Sequence, residues 1–440
     1  MLSAQDILNK IKNIDQAEVY LASSKSLSID VLDGKVESID EIRDLGLGIR
    51  IIKDHKQGFS FTSDLDEYVI EETINKAIEN AKNSEADEFH SLPSNQATEP
   101  PNNLNLYDPK INQVPIQGKI DLTLKIEKAA HQNPKVKKTE KISYSEGESE
   151  IWLANSNGLN INYKDNNCGA FADVIAIEGS EMESGFGMSY VTHFADLNFE
   201  AIGQEAAEQA VQLLGAKTIS SQKIPLVIDP RVATQLLEIL IAPLSSEAVQ
   251  KGKSLFAGKV NQSVGSSLLT IIDNGRLPKG LGSAPFDGEG VPTQETKLIH
   301  KGELKTYFYN TYTANKGKTK STGNAARGSF QGLPGIGPTN LYIEAGKNSH
   351  QEIVKSITKG LYLVRIMGAH TANPISGDFS FGAAGIMIEN GQLTYPVRSI
   401  TIAGNLIDLL KQLKAVGSNL RFFSSIGAPT LLFEGITVSG

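Results

Sequence analysis

The feature that most constrains the fold is the way glycine breaks up the second half of the chain. Short β-type runs at 297–300, 306–309, 340–344, 361–366, 386–389 and 399–402 alternate with glycine turns. Helical patterns in that half are confined to the segment around Leu237 and to about 350–359 and 406–413. Frequent glycine turns interrupt helices and join short strands, so residues 222–440 are expected to form one large, mostly antiparallel β domain. A chain of 440 residues is also too long for a single core, and two or three domains are expected.

The first half has a different texture, and the whole reads as α+β. Residues 17–22, 27–32, 35–39, 47–53 and 58–62 read as strands. Asp33-Gly34 between two of them is a strong hairpin signal, because both turn positions tolerate positive φ. Val69, Ile70, Thr73, Ile74, Ala77, Ile78 and Ala81 then recur at helical spacing, with Ser63 or Asp64 available as N-cap. These elements make an N-terminal α/β domain, 1–84. Residues 85–117 are polar and carry Pro93, Pro100, Pro101, Pro109 and Pro115, the composition of a linker or surface arm. A helix at about 121–131, a β-meander over 135–191 and a helix over 199–214 give a central α+β region, 118–220, packed with the first domain.

Charge and cysteine usage narrow the function classes. The formal net charge is −8, which repels phosphate backbones and argues against nucleic acid as a partner. Cys168 is the single cysteine, so no intrachain disulfide forms and a reducing, cytoplasmic setting is expected. Leu2, Ile7, Leu8, Ile11 and Ile14 are spaced among polar residues as in an amphipathic helix, not as in a signal peptide. The longest apolar stretch, around Leu236 to Leu244, is interrupted by Glu238 and Pro243 and falls far short of the roughly 20 residues a membrane span needs.

Several longer motifs run in order through the second half. A buried-strand pattern, Ile224-Pro225-Leu226-Val227-Ile228, leads to Gln235-Leu236-Leu237-Glu238-Ile239-Leu240-Ile241-Ala242 and then to Lys251-Gly252-Lys253-Ser254-Leu255-Phe256-Ala257-Gly258. Ser283-Ala284-Pro285-Phe286-Asp287-Gly288-Glu289-Gly290 and Ser321-Thr322-Gly323-Asn324-Ala325-Ala326-Arg327 follow. Ser376-Gly377-Asp378-Phe379-Ser380-Phe381-Gly382-Ala383-Ala384-Gly385 precedes Ile388-Glu389-Asn390-Gly391, and Thr401-Ile402-Ala403-Gly404-Asn405 opens the last helix. Each turn is common alone, but four in this order are specific, and the chain resembles the TldD/PmbA (TldE) metallopeptidase family.

The resemblance implies an α/β N-terminal domain joined to a β-rich one. It also sets an expectation for the helix: in the TldD branch it carries His-Glu-x-x-x-His. Here Leu237 and Ala242 stand at the histidine positions, and only Glu238 keeps its residue type. Neither Leu nor Ala can donate a lone pair to zinc. The TldD branch is further expected to supply a cysteine ligand near the C-terminus, but residues 421–430 hold none, and Cys168 does not match that position. The chain thus resembles the PmbA/TldE branch, which implies a non-catalytic subunit of a TldD/TldE-type complex that processes flexible peptides. Zinc is then expected only in a TldD-like partner, with no cofactor in this chain. A homodimer is a further expectation.

Other constellations offer less. Glu238 would be the general base if a metal-bound water stood beside it; otherwise it is a surface glutamate on an apolar helix. His370, Asp378 and Ser380 lie close in sequence, but a triad is a matter of geometry, and no G-x-S-x-G elbow presents a serine. The seven histidines include no pair at i, i+4. Residues 332–338 lack the G-K-[ST] of a phosphate loop, and two prolines remove N–H groups it would need. Asn324 and Arg327, together with His370 and Asp378, are candidate peptide or chamber contacts, with structural bracing as the competing role. Two alternatives stay open: a homo-oligomeric peptide-binding protein, and a hydrolase of different chemistry centred on His370 and Asp378.

Overall fold

The structure, a computed structural model, describes residues 2–94 and 104–440. Its first sheet runs Lys56–Thr62, Lys35–Lys53, Gln16–Leu32, Val136–Asn155, Asn160–Glu178, Glu181–Val191, with every neighbour antiparallel. The first domain and the central region therefore share one sheet. Gln16–Leu32 pairs with Val136–Asn155 from Glu18 opposite Asn155 to Val31 opposite Ile142. The short strands expected at 17–22 and 27–32 are one strand, as are those at 35–39 and 47–53.

Local chemistry explains the connections. Asp33 and Gly34 both take positive φ, 50° and 72°, which gives the tight turn expected of that pair. Their N–H groups donate to the two carboxylate oxygens of Glu127 at 3.0 and 2.8 Å, so the central helix holds the hairpin tip. Helix Glu67–Asn83 is capped by Asp66, not by Ser63 or Asp64: the Asp66 carboxylate accepts from the Tyr68 N–H. Ile70, Ile74, Ala77 and Ala81 bury its inner face against Val19, Leu21, Leu47, Ile49 and Ile51. Helices Ile116–Ala130 and Phe199–Val211 do the same at the other end of the sheet, over Ile142, Tyr144, Ala170, Ala172 and Val174.

The expected linker at 85–117 needs correction. Helix Ile116–Ala130 starts behind Pro115, five residues before the expected position, and so runs across the proposed 117/118 boundary. A short helix, Lys110–Gln113, precedes it with Ile111 buried. On the other side Leu92 is buried, and its N–H donates to Gln16 Oε1 at 2.6 Å. Apolar anchors and backbone pairing thus dock a stretch whose composition reads as solvent-exposed. Its middle, 95–103, lies outside the described residues.

The C-terminal half contains two further six-stranded sheets and the ribbon Ala325–Ala326 with Gly335–Ile336. One sheet runs Gln392–Asn405, Asp378–Glu389, Lys359–Met367, Gln222–Ile228, Leu431–Ser439, Leu413–Val416. Its first strand also pairs with Leu431–Ser439, through Thr401 opposite Ser439 and Ile402 opposite Val438, and so curls the sheet toward closure. The other runs Glu303–Leu304, Glu295–His300, Ile271–Asn274, Leu341–Ile343, Ile426–Ala428, Arg421–Phe422. Pairing is mostly antiparallel, with parallel contacts of Leu361 to Leu226 and of Leu341 to Ile426. Residues 306–309 are not a strand; Phe308 makes one bridge to Ser245. Helix Pro230–Ile239 sits in the shared core, with Val232, Ala233, Leu236 and Leu237 among residues of both sheets.

Candidate functional site

Strand Gln222–Ile228 delivers the chain to Asp229, whose carboxylate caps helix Pro230–Ile239 by accepting from the Arg231 N–H at 2.9 Å and from the Tyr362 hydroxyl. Pro230 stands at the first helical position, where its missing N–H costs nothing. Leu237 is 1 % exposed and faces a dry wall of Leu269, Ile271, Ile343, Leu406, Leu409, Leu410, Leu431 and Phe433. Ala242 is exposed in the turn after the helix has ended at Ile239. The two positions at which the resemblance would place histidines therefore lie in opposite environments, one in the core and one in solvent. Glu238 is exposed, and its apolar surroundings push its carboxyl above the usual range. Among the described residues no three His, Cys, Asp or Glu side chains converge as metal ligands do. The donors at this helix do not fit a zinc ion.

The His370 region does not assemble either. His370 is exposed on the single turn Ala369–Thr371 and has no hydrogen bond to Asp378 or Ser380 among the described residues. The exposed Asp378 carboxylate instead accepts from Asn405 Nδ2 at 3.0 Å, and that bond, with help from Ser376, holds it below the usual carboxylate range. Asp378 thus braces its loop through Asn405, and the two residues do not form a joint site.

Asn324 and Arg327 belong to a different structure, a buried ionic seal between the first sheet and the C-terminal half. The Arg327 side chain is 1 % exposed, and its guanidinium donates to Glu18 Oε1 at 2.6 Å, to Gly288 O at 3.1 Å and to Gly332 O at 3.2 Å. It also stacks 4.4 Å from the centre of the Tyr20 ring. Glu18 lies directly across the strand pair from Arg50, which donates to it at 2.8 Å and to Glu289 at 3.1 Å. Burial raises the Glu18 carboxyl, but Arg50 and Arg327 outweigh it and hold the group below its ordinary value. Glu289 also accepts from the Thr311 N–H at 2.9 Å. Phe330 enters beside this network against Tyr20, Leu153 and Leu159. Gly46 and Gly48 make room for it: a Cβ on Gly46 would stand 2.4 Å from the Phe330 ring.

Asp287 and Asp273 complete the seal. Asp287 accepts from the N–H groups of Glu289, Val291 and Ala325 at 2.9 to 3.0 Å. Burial, with the nearby Glu289 charge, raises it to about 7. Asp273 accepts from Asn324 Nδ2 at 2.7 Å and from both the N–H and hydroxyl of Thr339, yet burial still raises it to about 6. Sequence reasoning missed Glu18, Arg50, Glu289 and Asp273. The available signal was a charge inside an apolar strand run, as in Ile49-Arg50-Ile51.

Family models match three stretches of this chain. The PmbA/TldA metallopeptidase domain 1 covers residues 17–84, the central domain 109–214 and the C-terminal domain 221–440. The chain belongs to the PmbA/TldD metallopeptidase family. "Metalloprotease PmbA" of Escherichia coli O157:H7 is 29% identical over 430 residues, 97% of this chain and 92% of that protein. A Thermotoga maritima protein, crystallised as a proposed modulator of a DNA gyrase, is 30% identical and superposes with a TM-score of 0.88 over 96% of each chain. TldE of Thermococcus kodakarensis, 24% identical, shares the fold with a TM-score of 0.88 over 97% of each chain. The family's TldD branch is also within reach: a "Metalloprotease TldD homolog" of Buchnera aphidicola is 29% identical over 278 residues, 60% of this chain. No helix among the described residues is long and apolar enough to cross a membrane.

Proposed function

We propose that this chain is the non-catalytic, PmbA/TldE-like subunit of a two-component zinc metallopeptidase acting on flexible peptides in the cytoplasm. The observation that carries the reading is the environment of Leu237 and Ala242: a helix of this family with a sealed apolar core at one ligand position and a bare methyl in solvent at the other. Such a helix polarises no water, so hydrolysis belongs to a TldD-like partner that brings its own zinc. The occurrence of PmbA and TldD relatives at similar identity supports two branches of one fold.

What this chain contributes is a surface. Strand Lys35–Lys53 pairs outward with Lys56–Thr62 only through residues 47–53, so its 35–46 stretch presents free N–H and C=O groups among the described residues. An open edge of this kind accepts an extended peptide or a partner strand by backbone pairing, with little demand on side chains. Val36, Ile39 and Ile42 are exposed along it.

The test is to purify this chain and a TldD-like protein separately, then mix them. Light scattering should show a joint species, and cleavage of an unstructured peptide should require the TldD-like protein and rise when both are present. A chain that changes neither the mass nor the activity of that protein would refute the reading in favour of a self-contained peptide-binding protein. Chelator-sensitive cleavage by this chain alone would also refute it.

A further inference from the structure

A cleft of about 680 Å³ opens where residues 91–94 of the docked arm meet the C-terminal half. Asn315 fixes the arm there: its Nδ2 donates to Phe89 O at 3.0 Å and to Ser91 Oγ at 2.8 Å. Residues 319–322 supply another part of the wall. Their turn is held by backbone, with the Thr319 N–H donating to Ala314 O at 2.9 Å and the Thr322 N–H to Tyr309 O at 3.1 Å. The Thr322 hydroxyl also accepts from the Tyr309 N–H at 2.8 Å. Lys320 is left exposed between these two anchors.

The charge of the cleft runs against that of the chain. Asp and Glu outnumber Lys and Arg by 50 to 42 overall. The lining nevertheless holds Arg276 and Lys320 and, among the described residues, no carboxyl group. Arg276 Nε donates to Thr293 O, but its two terminal nitrogens have no partner among the described residues, and neither has the Lys320 ammonium. Two carboxylates next to lining or neighbouring residues are already matched: Glu289 accepts from Arg50 and from the Thr311 N–H, and Asp87 from the Tyr312 hydroxyl. The hydroxyl of Thr311, on the wall, has no hydrogen-bond partner among the described residues and adds an unspent donor. A concave surface lined by one sign of charge concentrates ions of the other sign.

We propose that this cleft holds the C-terminal carboxylate of a short peptide, with Arg276 and Lys320 as its cationic partners and Leu92, Pro93, Val291 and Pro292 against its last side chains. A guanidinium with two free terminal nitrogens suits the two oxygens of a carboxylate. The volume lies in the range of sites for small molecules, about 300–1,000 Å³, and a bare ion would leave most of it to water. The apolar residues on the wall give a carbon-bearing ligand an advantage over inorganic phosphate. The choice of a peptide as the carrier rests on the peptide-handling function proposed above. The site is assayed on this chain alone, so its failure leaves pairing with a zinc-bearing subunit untouched, and failure of that pairing leaves this site standing.

The test is calorimetric titration of the purified full chain with N-acetyl-alanyl-leucine, the same dipeptide as its C-terminal amide, and inorganic phosphate, all at constant ionic strength. The free carboxylate is expected to bind saturably and about tenfold more tightly than the amide, the difference expected for hydrogen bonds to a charged group. Phosphate is expected to bind more weakly than the dipeptide. Lys320→Glu should weaken the dipeptide about tenfold with an unchanged thermal transition, and Arg276→Gln should do the same. Lys12→Glu makes an equal charge change at an exposed residue outside the lining and should leave binding as it is. Equal affinity for the acid and the amide, phosphate binding as tightly as the dipeptide, or an equal loss in Lys12→Glu and Lys320→Glu would overturn the proposal.

Discussion

Arg327 is the residue whose loss should report most directly on how the two halves are joined. Replacing it with Met removes three donated hydrogen bonds, to Glu18, Gly288 and Gly332, and leaves the stem volume nearly intact over Tyr20. Glu18, 1 % exposed, would keep only Arg50. Removing one partner of a buried pair costs about 3–5 kcal/mol, because the remaining charge stays desolvated. With an unfolding entropy near 2.1 cal/mol/K per residue, a 440-residue cooperative unit shifts by about 1 °C per kcal/mol. Arg327→Met should therefore lower Tm by about 3–5 °C in scanning calorimetry. Arg327→Lys should recover only part of that, since an ammonium cannot reach three divergent acceptors. The double variant Arg327→Met with Glu18→Gln should lose at least about 1 kcal/mol less than the two singles together. Strict additivity would mean that the pair is not coupled and that the ionic seal does not hold the halves together.

Two other outcomes follow from the same geometry. Asp273 at about 6 and Asp287 at about 7 keep protons that an unfolded carboxyl, near 4, has already released. These two groups therefore favour the fold below about pH 4 and withdraw that contribution as pH rises through 6 and 7; Asp287→Asn should show a smaller fall in Tm between pH 5 and 8 than the parent chain, and an equal fall would refute the assignment. Leu237→His with Ala242→His should retain no zinc by elemental analysis after dialysis and cleave no peptide, while losing about 2–3 kcal/mol because a polar ring enters the apolar core at Leu237. Stoichiometric zinc in that variant would show that the two positions converge after all.

The parts of the fold legible in the sequence are those set by local chemistry. Asp33-Gly34 declared its turn, the 3.6-residue rhythm from Ile70 to Ala81 declared its helix, and glycine punctuation declared a β-rich second half. The misses share a cause in long-range contact. The arm at 85–117 looked solvated because its anchors, Leu92, Leu104 and Ile111, are isolated apolar residues in polar surroundings. Only a partner far away in sequence makes them buried, as when the Asp87 carboxylate receives the Tyr312 hydroxyl at 2.8 Å. The single sheet spanning the first two regions was hidden for the same reason, since pairing of 16–32 with 136–155 leaves no mark within either segment.

The candidate site shows the limit more sharply. Residue type alone disclosed that Leu237 and Ala242 offer no lone pair, but the burial of one and exposure of the other required the packed helix. Asn324 and Arg327 were marked by the motif around them, yet their chemistry could not be read from that loop. Arg327 meets Glu18 across 309 positions, and Asn324 meets Asp273 across 51. The loops at 283–290 and 321–327, which carry much of the family resemblance, thus meet at Asp287 and Ala325 and close the joint over the first sheet. That joint is built from residues of the first and third family domains, apart from the helix that carries Leu237, so the two can be tested separately.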